Sequence, residues 1–358
     1  MNDVVPTDSA RLVGDIAALL QRAVADHVFP GAVAAVAMDR DSVVIAAGHE
    51  TYDHAAPATK AEALFDVASL TKVVATTTAI TQLIESNALS LDDCAARFLP
   101  RLDQPGKNEI TIRQLMTHTA GFPGPYEFYR FCHAREQLIE AIYAVDLIDR
   151  PGSRRLYDDI SFMLLAFIVE KLTDTSFDRY CSQNIFTPLQ MNDTCFRPQA
   201  GASQIIPTEV DPDRGGLLRG VVHDENAYVL GGVAGHAGLF SRASDLLRFA
   251  CVMAGTTEAH AEILSDASIR RVRQREWRDH EGEYGLGWDR TRPHYMGAID
   301  DDDAIGHTGF TGTSMVVSPH RQLAIILLSN RVHPKRSDPG AINAVRRELV
   351  QIVLRYWR

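Results

Sequence analysis

Strand-like sequence sits only at the two ends of this chain, and that limits its possible folds more than any other feature. "FPG" leads into two alternating β-rich runs, "AVAAVAMD" and "SVVIAAGHE", separated by the turn "RD", which is the pattern of a hairpin. Strand patterns return only near the other end, in "YGLGWD", "AIGHTG", "GTSMVVSP" and "QLAIILLSNR". The residues between, from about 90 to 260, read as helices and long loops. The simplest assembly pairs the early hairpin with the late strands. The expectation is therefore an α+β fold of two regions. Residues 1–90 and 261–358 form an antiparallel sheet domain, flanked by a helix at about 9–27 and a C-terminal helix in "GAINAVRRELVQIVLRYWR"; residues 91–260 form an inserted, mainly helical domain. The groove between the two is where a site is expected.

At 358 residues, 46% of them hydrophobic, the chain can bury a sizeable core. Its formal charge of -10 is spread along the chain without a basic run to track a phosphate backbone, so no nucleic acid partner is expected. The opening "MNDVVPTDSARLVGDIAALLQRAV" has acidic groups where a signal peptide needs a positive region, and its apolar positions recur at helical spacing. No apolar run is long enough for a membrane span. A cytoplasmic protein with no membrane partner is expected, its oligomeric state left open. The scattered Cys94, Cys132, Cys181, Cys195 and Cys251 include no C-x-x-C pair and read as reduced, mostly buried thiols.

The stretch "DVASLTKVVATTTAITQLIE", residues 66–85, opens a helix with Ser69 and places Lys72 three positions on. A serine at a helix start is first of all an N-cap, but that reading leaves Lys72 unexplained. Residues three apart share a helix face with Cβ atoms roughly 5–6 Å apart, so the Lys72 ammonium can reach the Ser69 hydroxyl. Burial and positive potential can lower a lysine pKa by several units and make the amine a base, and "TKVVATT" is an uncharged helix able to bury it. The helix start also points backbone N–H groups at any oxyanion formed beside Ser69. With 18 serines and 5 lysines in the chain, chance supplies roughly a quarter of an S-x-x-K match. One is present.

Two further segments join it. "RRLYDDISFMLLAFIVEKL" puts Tyr157 just before a strongly apolar helix with Asp159 two residues on, and "AIGHTGFTGTSMVVSP" puts His307, Thr308 and Gly309 at a strand edge. S-x-x-K, then Y-x-N, then K-T-G or H-T-G is the order found in the serine penicillin-recognising enzymes. The chain resembles that family, and within it the branch of class C β-lactamases, DD-peptidases, D-aminopeptidases and β-lactamase-like esterases. The resemblance runs from "FPGAVAAV" to "ILLSNRVHP" and includes "LMTHTAGF" and "GGVAGHAGLFSRASDL". It implies that Ser69 is an acylated nucleophile, that Lys72 accepts or relays its proton, and that Tyr157 is the general base, its phenolate favoured by the nearby ammonium. It also implies an oxyanion hole made by the N–H groups of Ser69 and Phe310, with His307 and Thr308 lining the strand edge beside the acyl group.

Asp159 stands where the resembled family usually has Asn. A carboxylate cannot donate a hydrogen bond to a substrate amide carbonyl, so efficient penicillin turnover is not expected. Paired with Lys72, Asp159 would raise the lysine pKa and shift the basic role toward Tyr157; a carboxylate there also suits a helix start for its own sake. His307 in place of Lys gives a recognition edge that is uncharged or only conditionally cationic at neutral pH. His223 and Asp224 in "GVVHDENAY", with His236 in "GHAG", are expected on the substrate wall or as loop-ordering groups, and His118 in "LMTHTAGF" as a brace at a helix end. The run Asp300–Asp303 reads as a solvated turn before a hard-cation site. No H-E-x-x-H, G-x-S-x-G, Walker or G-x-G-x-x-G pattern occurs, so neither metal nor cofactor is expected. The expected function is a serine hydrolase acting on a small ester, amide or peptide through an acyl-Ser69 intermediate. The alternatives are an acyltransferase of the same fold with a non-water acceptor and a noncatalytic ligand-binding or sensor domain.

Overall fold

The computed structural model describes residues 7–38, 41–199, 204–257, 263–299 and 301–356. In chain order the strands are β1 (Gly31–Met38), β2 (Asp41–Gly48), β3 (Phe65–Asp66), β4 (Cys195–Phe196), β5 (Val210–Asp211), β6 (Gly216–Leu217), β7 (Leu239–Ser241), β8 (Trp277–Asp279), β9 (Gly282–Tyr284), β10 (Ile305–Thr308), β11 (Ser314–Ser318) and β12 (Leu323–Ser329). The helices are α1 (Thr7–Ala25), α2 (Thr78–Glu85), α3 (Ile112–Met116), α4 (Arg135–Ala144), α5 (Ile160–Thr173), α6 (Phe177–Cys181), α7 (Glu225–Val229), α8 (Ala243–Ala254), α9 (Asp266–Arg273), α10 (Pro293–Met296) and α11 (Pro339–Tyr356).

The central strand β1 requires both ends of the chain. Its side chains alternate between two cores: Ala32, Ala34 and Val36 pack with α1 and α11 residues such as Leu12, Ile16 and Leu349, while Val33, Ala35 and Ala37 join the core of the helical region. A strand buried on both faces reads as an unbroken apolar run, and its backbone groups need partners on both sides. β2 and β12 supply them, antiparallel, with Val33 opposite Ala46 on one side and Leu328 on the other. The order β10-β11-β12-β1-β2 leaves β10, which carries His307 and Thr308, at an edge.

Two expectations change. "YGLGWD" contributes only Tyr284 to a strand, paired with Trp277 in the β8–β9 hairpin; Gly287, at φ +75°, turns the backbone out of the extended path, which glycine does at little steric cost. Of the expected turn "RD", Arg40 lies outside the described residues and Asp41 opens β2; Asp300 also lies outside them, and Asp301 accepts hydrogen bonds from Ser318 and Arg321, so that part of the acidic run is tied to the sheet. All five cysteines are free thiols; Cys132 and Cys181 are buried, whereas Cys94 is exposed. No helix of the described residues is long and apolar enough to cross a membrane.

Two elements place the site. The small β3-β7-β4 sheet holds the segment that leads into Ser69. α5 is apolar almost all round and buried from Ile160 to Val169 except at the half-buried Phe167, as expected of an interior helix. Its N-terminus is thereby fixed against the buried π-helical turn Lys72–Thr77, a wide-turn geometry often found at functional sites.

Candidate active site

Ser69 sits in a tight turn whose shape is imposed by the Asp66 side chain and by hydrogen bonds from two distant segments. After β3 the chain passes through Ala68 at φ +47°, a left-handed conformation that alanine rarely adopts. The buried Asp66 carboxylate holds it there, accepting from the Ala68 N–H at 2.8 Å and the His223 N–H at 2.7 Å. Thr311 and Thr313 donate their hydroxyls to the carbonyls of Asp66 and Val67 at 2.8 and 3.0 Å. Ser69 is left half-exposed, just ahead of the first helical residue, Leu70. Its hydroxyl does not serve as the expected cap; it accepts from Lys72 Nζ at 3.1 Å.

Lys72 is fully buried, and its ammonium uses all three protons: on Ser69 Oγ, on Asp159 Oδ1 at 2.7 Å and on the His236 carbonyl at 3.1 Å. Burial alone would lower its pKa, but the Asp159 carboxylate and the Tyr157 phenol together outweigh burial and hold it above the ordinary lysine range. Asp159 is held below the usual carboxylate range, burial being outweighed by Lys72 and His236. The pairing with Asp159 thus raises the lysine, the direction that pairing implied, instead of leaving it lowered by burial. Tyr157 departs from expectation. Burial pushes the phenol up, and Asp159 adds to this against the downward pull of Lys72 and Ser69, so the resting group is a neutral phenol whose ring lies 4.9 Å from Lys72 Nζ.

His118 grips the chain on both sides of Tyr157. Its carbonyl accepts the Leu156 N–H at 2.9 Å, its Nδ1 accepts the Asp158 N–H at 3.2 Å, and its ring lies 4.5 Å from the tyrosine ring. Burial, with Arg155 and Lys72 nearby, holds this histidine well below its ordinary pKa and therefore neutral. His307, 6.2 Å from the Tyr157 ring, is lowered to about 4, chiefly by burial, so the strand edge is uncharged at neutral pH.

Gly309 is required where it stands, because a Cβ would come within 2.1 Å of Thr313 Oγ1 and 2.5 Å of the Val67 carbonyl. This close approach brings the β10–β11 turn against the Ser69 turn. Among the described residues neither the Ser69 N–H nor the Phe310 N–H finds an acceptor. Both residues line a cavity of about 240 Å³, together with Tyr157, Asp159, Asp224 and Tyr126.

The structure therefore brings together Ser69, Lys72, Tyr157, Asp159 and Phe310. His223 and Asp224 stand on the cavity wall, where His223 Nε2 meets Glu209 at 2.8 Å and its ring stacks on Phe310. His236 is not on the wall: it is 1% exposed and lies behind Asp224, bonded to it through Nε2 at 2.9 Å. Thr308 ends β10, and Gly309 opens the turn that carries Phe310. Asp66 and the grip of His118 on Tyr157 were missed; Asp66 lies three residues before Ser69 in "DVAS", but nothing in that string shows that its carboxylate faces the backbone.

Asp159, Asp224 and His236 bring ligand-type atoms within 4.8 Å of one another. Lys72 already meets Asp159 and His236 Nε2 bonds Asp224, so both carboxylates have partners within the protein. A larger cavity of about 540 Å³ opens beside β2 and α8; its walls include Ser42 and Ser244 but no lysine, histidine or tyrosine among the described residues.

A family model described as beta-lactamase matches residues 16–349. The "Putative D-alanyl-D-alanine carboxypeptidase" of Escherichia coli (strain K12) is 32% identical over 309 residues, covering 77% of this chain and 71% of that protein. Among solved structures, a class C beta-lactamase superposes with a TM-score of 0.80 at 18% identity, covering 97% of this chain and 98% of its own. EstCE1, a hydrolase with promiscuous acyltransferase activity, superposes at 0.77 with 20% identity, over 96% and 100%. The shared fold, and above all the match along nearly the whole chain, show that this protein belongs to the beta-lactamase family of serine hydrolases.

Proposed function

We propose that Ser69 is acylated by a small ester or amide and that water then releases the acyl group. The observation that carries this is the Ser69 hydroxyl held by a fully buried lysine beside two N–H groups without acceptors. Ser69 Oγ attacks the acyl carbon and the bond to the leaving group breaks. The serine proton passes to Tyr157 and on to the leaving group, while the Ser69 and Phe310 N–H groups hold the oxyanion; such a donor is worth ~3 to 4 kcal/mol. In the second step Tyr157 takes a proton from a water whose oxygen attacks the acyl carbon, and returns that proton to Ser69 Oγ as the Ser69–acyl bond breaks. The reactive form has lost one proton from the Lys72–Tyr157 pair, which titrates as a unit.

The cavity of about 240 Å³ is smaller than usual for drug-sized ligands and suits a short acyl group. His307 is neutral and not among the cavity's lining residues, and Arg336 on the wall is already paired with Glu209 and Glu225, which favours uncharged esters and amides over the terminal carboxylate implied by the relatives' name. The test is p-nitrophenyl acetate and butyrate with wild type and Ser69→Ala, following nitrophenol release and intact mass. Turnover or an acyl adduct that disappears in Ser69→Ala is expected. A folded wild type that shows neither would overturn the reading, and ester formation with an added alcohol would redirect it to acyl transfer.

A further inference from the structure

Arg346, on α11, is 5% exposed, yet among the described residues no carboxylate pairs with it. Its Nη2 donates instead to two carbonyls of the β10–β11 turn, Gly309 at 2.9 Å and Thr313 at 2.7 Å, and its Nη1 to Asn343 Oδ1 at 2.7 Å. Burial lowers its pKa to about 9, which still leaves the guanidinium charged at neutral pH. A buried charge without a counter-charge is costly, so its position calls for a reason beyond holding a turn, which neutral donors could do.

The Gly309 carbonyl gives that reason. It belongs to the same planar peptide unit as the Phe310 N–H; Phe310 lines the cavity, and its N–H has no acceptor among the described residues. A cation on the carbonyl oxygen draws electrons from the peptide and makes its N–H a stronger donor, the polarisation that strengthens chained hydrogen bonds in a low-dielectric interior. Gly312 N–H adds a second, neutral bond to the same oxygen at 3.1 Å. We propose that Arg346 is a positioning residue that orients and polarises the Gly309–Phe310 peptide, and that its unmatched charge is balanced when an oxyanion forms on the acylated serine. This rests on the reading of Ser69 and Phe310 given above. α11 thereby takes part in the chemistry without touching the substrate.

The test compares Arg346→Lys, which keeps a cation, Arg346→Gln, which keeps only a neutral donor, and Arg346→Met, which keeps neither. Three readouts are used: kcat and KM for p-nitrophenyl butyrate, affinity for phenylboronic acid as a tetrahedral anion on Ser69, and the Phe310 amide proton shift in protein labelled with 15N-phenylalanine. The expected order of kcat/KM is wild type, Lys, Gln, Met. The loss in Met is roughly 10- to 100-fold, carried by kcat, with boronate affinity falling in parallel and the Phe310 amide proton moving upfield in Gln. If Met fails to fold, the contrast of Lys with Gln decides. Equal activity in Lys and Gln, a loss confined to KM, or unchanged boronate affinity would overturn the proposal. A wild type that neither reacts nor binds boronate would overturn the acylation reading, and this inference with it, whereas an active wild type with indifferent variants would overturn this inference alone.

Discussion

An ammonium that donates three hydrogen bonds, one of them to a carboxylate at 2.7 Å, has no lone pair with which to take a proton from Ser69. Lys72 and Tyr157 are both held above their ordinary pKa values, with the Asp159 charge contributing to each. If the reactive form has lost one of those two protons, kcat/KM climbs with pH into the alkaline range. Asp159→Asn removes the negative charge that favours both protonated forms, so the limb must move to lower pH. The check is the pH profile of kcat/KM for p-nitrophenyl butyrate in both proteins; a limb that stays in place would show that neither Lys72 nor Tyr157 supplies the base. The same variant restores an amide donor and is expected to acylate faster with a β-lactam. Ser69, Lys72, Tyr157 and Asp159 were legible because their spacing and order carry the chemistry. The raised Lys72 followed from its pairing with Asp159, but the raised Tyr157 did not, since it depends on which partner outweighs burial once residues 87 positions apart are brought together.

The N-terminus of α5 delivers Tyr157 and Asp159, and it is steered by a residue from another element. His118 has φ +57°, a left-handed conformation that Asn, like His, adopts more readily than most residues. Asn also presents Oδ1 near the place of the imidazole Nδ1, so His118→Asn can keep the bond to the Asp158 N–H. His118→Phe keeps a ring against Tyr157 and loses the acceptor. If the grip on the chain matters, kcat/KM falls roughly 10- to 100-fold in the Phe variant and within about tenfold in the Asn variant. Equal losses in the two, tracking their urea midpoints, would mean that His118 serves packing alone. The helices α1, α5 and α11 could be read from their apolar periods or runs, as could β1, β2 and β12. The strands β3 and β4, two residues each, could not, because a period cannot show in two residues, yet β3 sets the path into Ser69.

The cavity wall is assembled only when the whole chain has folded. Glu209 lies where three distant segments meet: it accepts from Arg336, just ahead of α11, at 3.0 Å and pairs with His223 Nε2 at 2.8 Å, while the neighbouring Val210 N–H donates to the Pro334 carbonyl. Burial would raise its pKa, but His223 and Arg336 outweigh this and bring it to about 2, against an unfolded value near 4.5. A carboxylate with a lowered folded pKa adds stability that is complete above its unfolded pKa and is lost as pH falls through the folded one. Glu209→Gln should therefore unfold at lower urea than wild type at pH 6 to 7, by at most roughly 3 kcal/mol, and the gap should narrow as pH drops from 4.5 toward 2. A gap independent of pH would assign the loss to packing and remove the charge network from the account. Because the same network carries His223, which stacks on Phe310, the variant also asks whether the wall must be rigid: a fall in kcat/KM at pH 7, under conditions where the protein remains folded, would tie the ion pairs to the placement of the oxyanion turn.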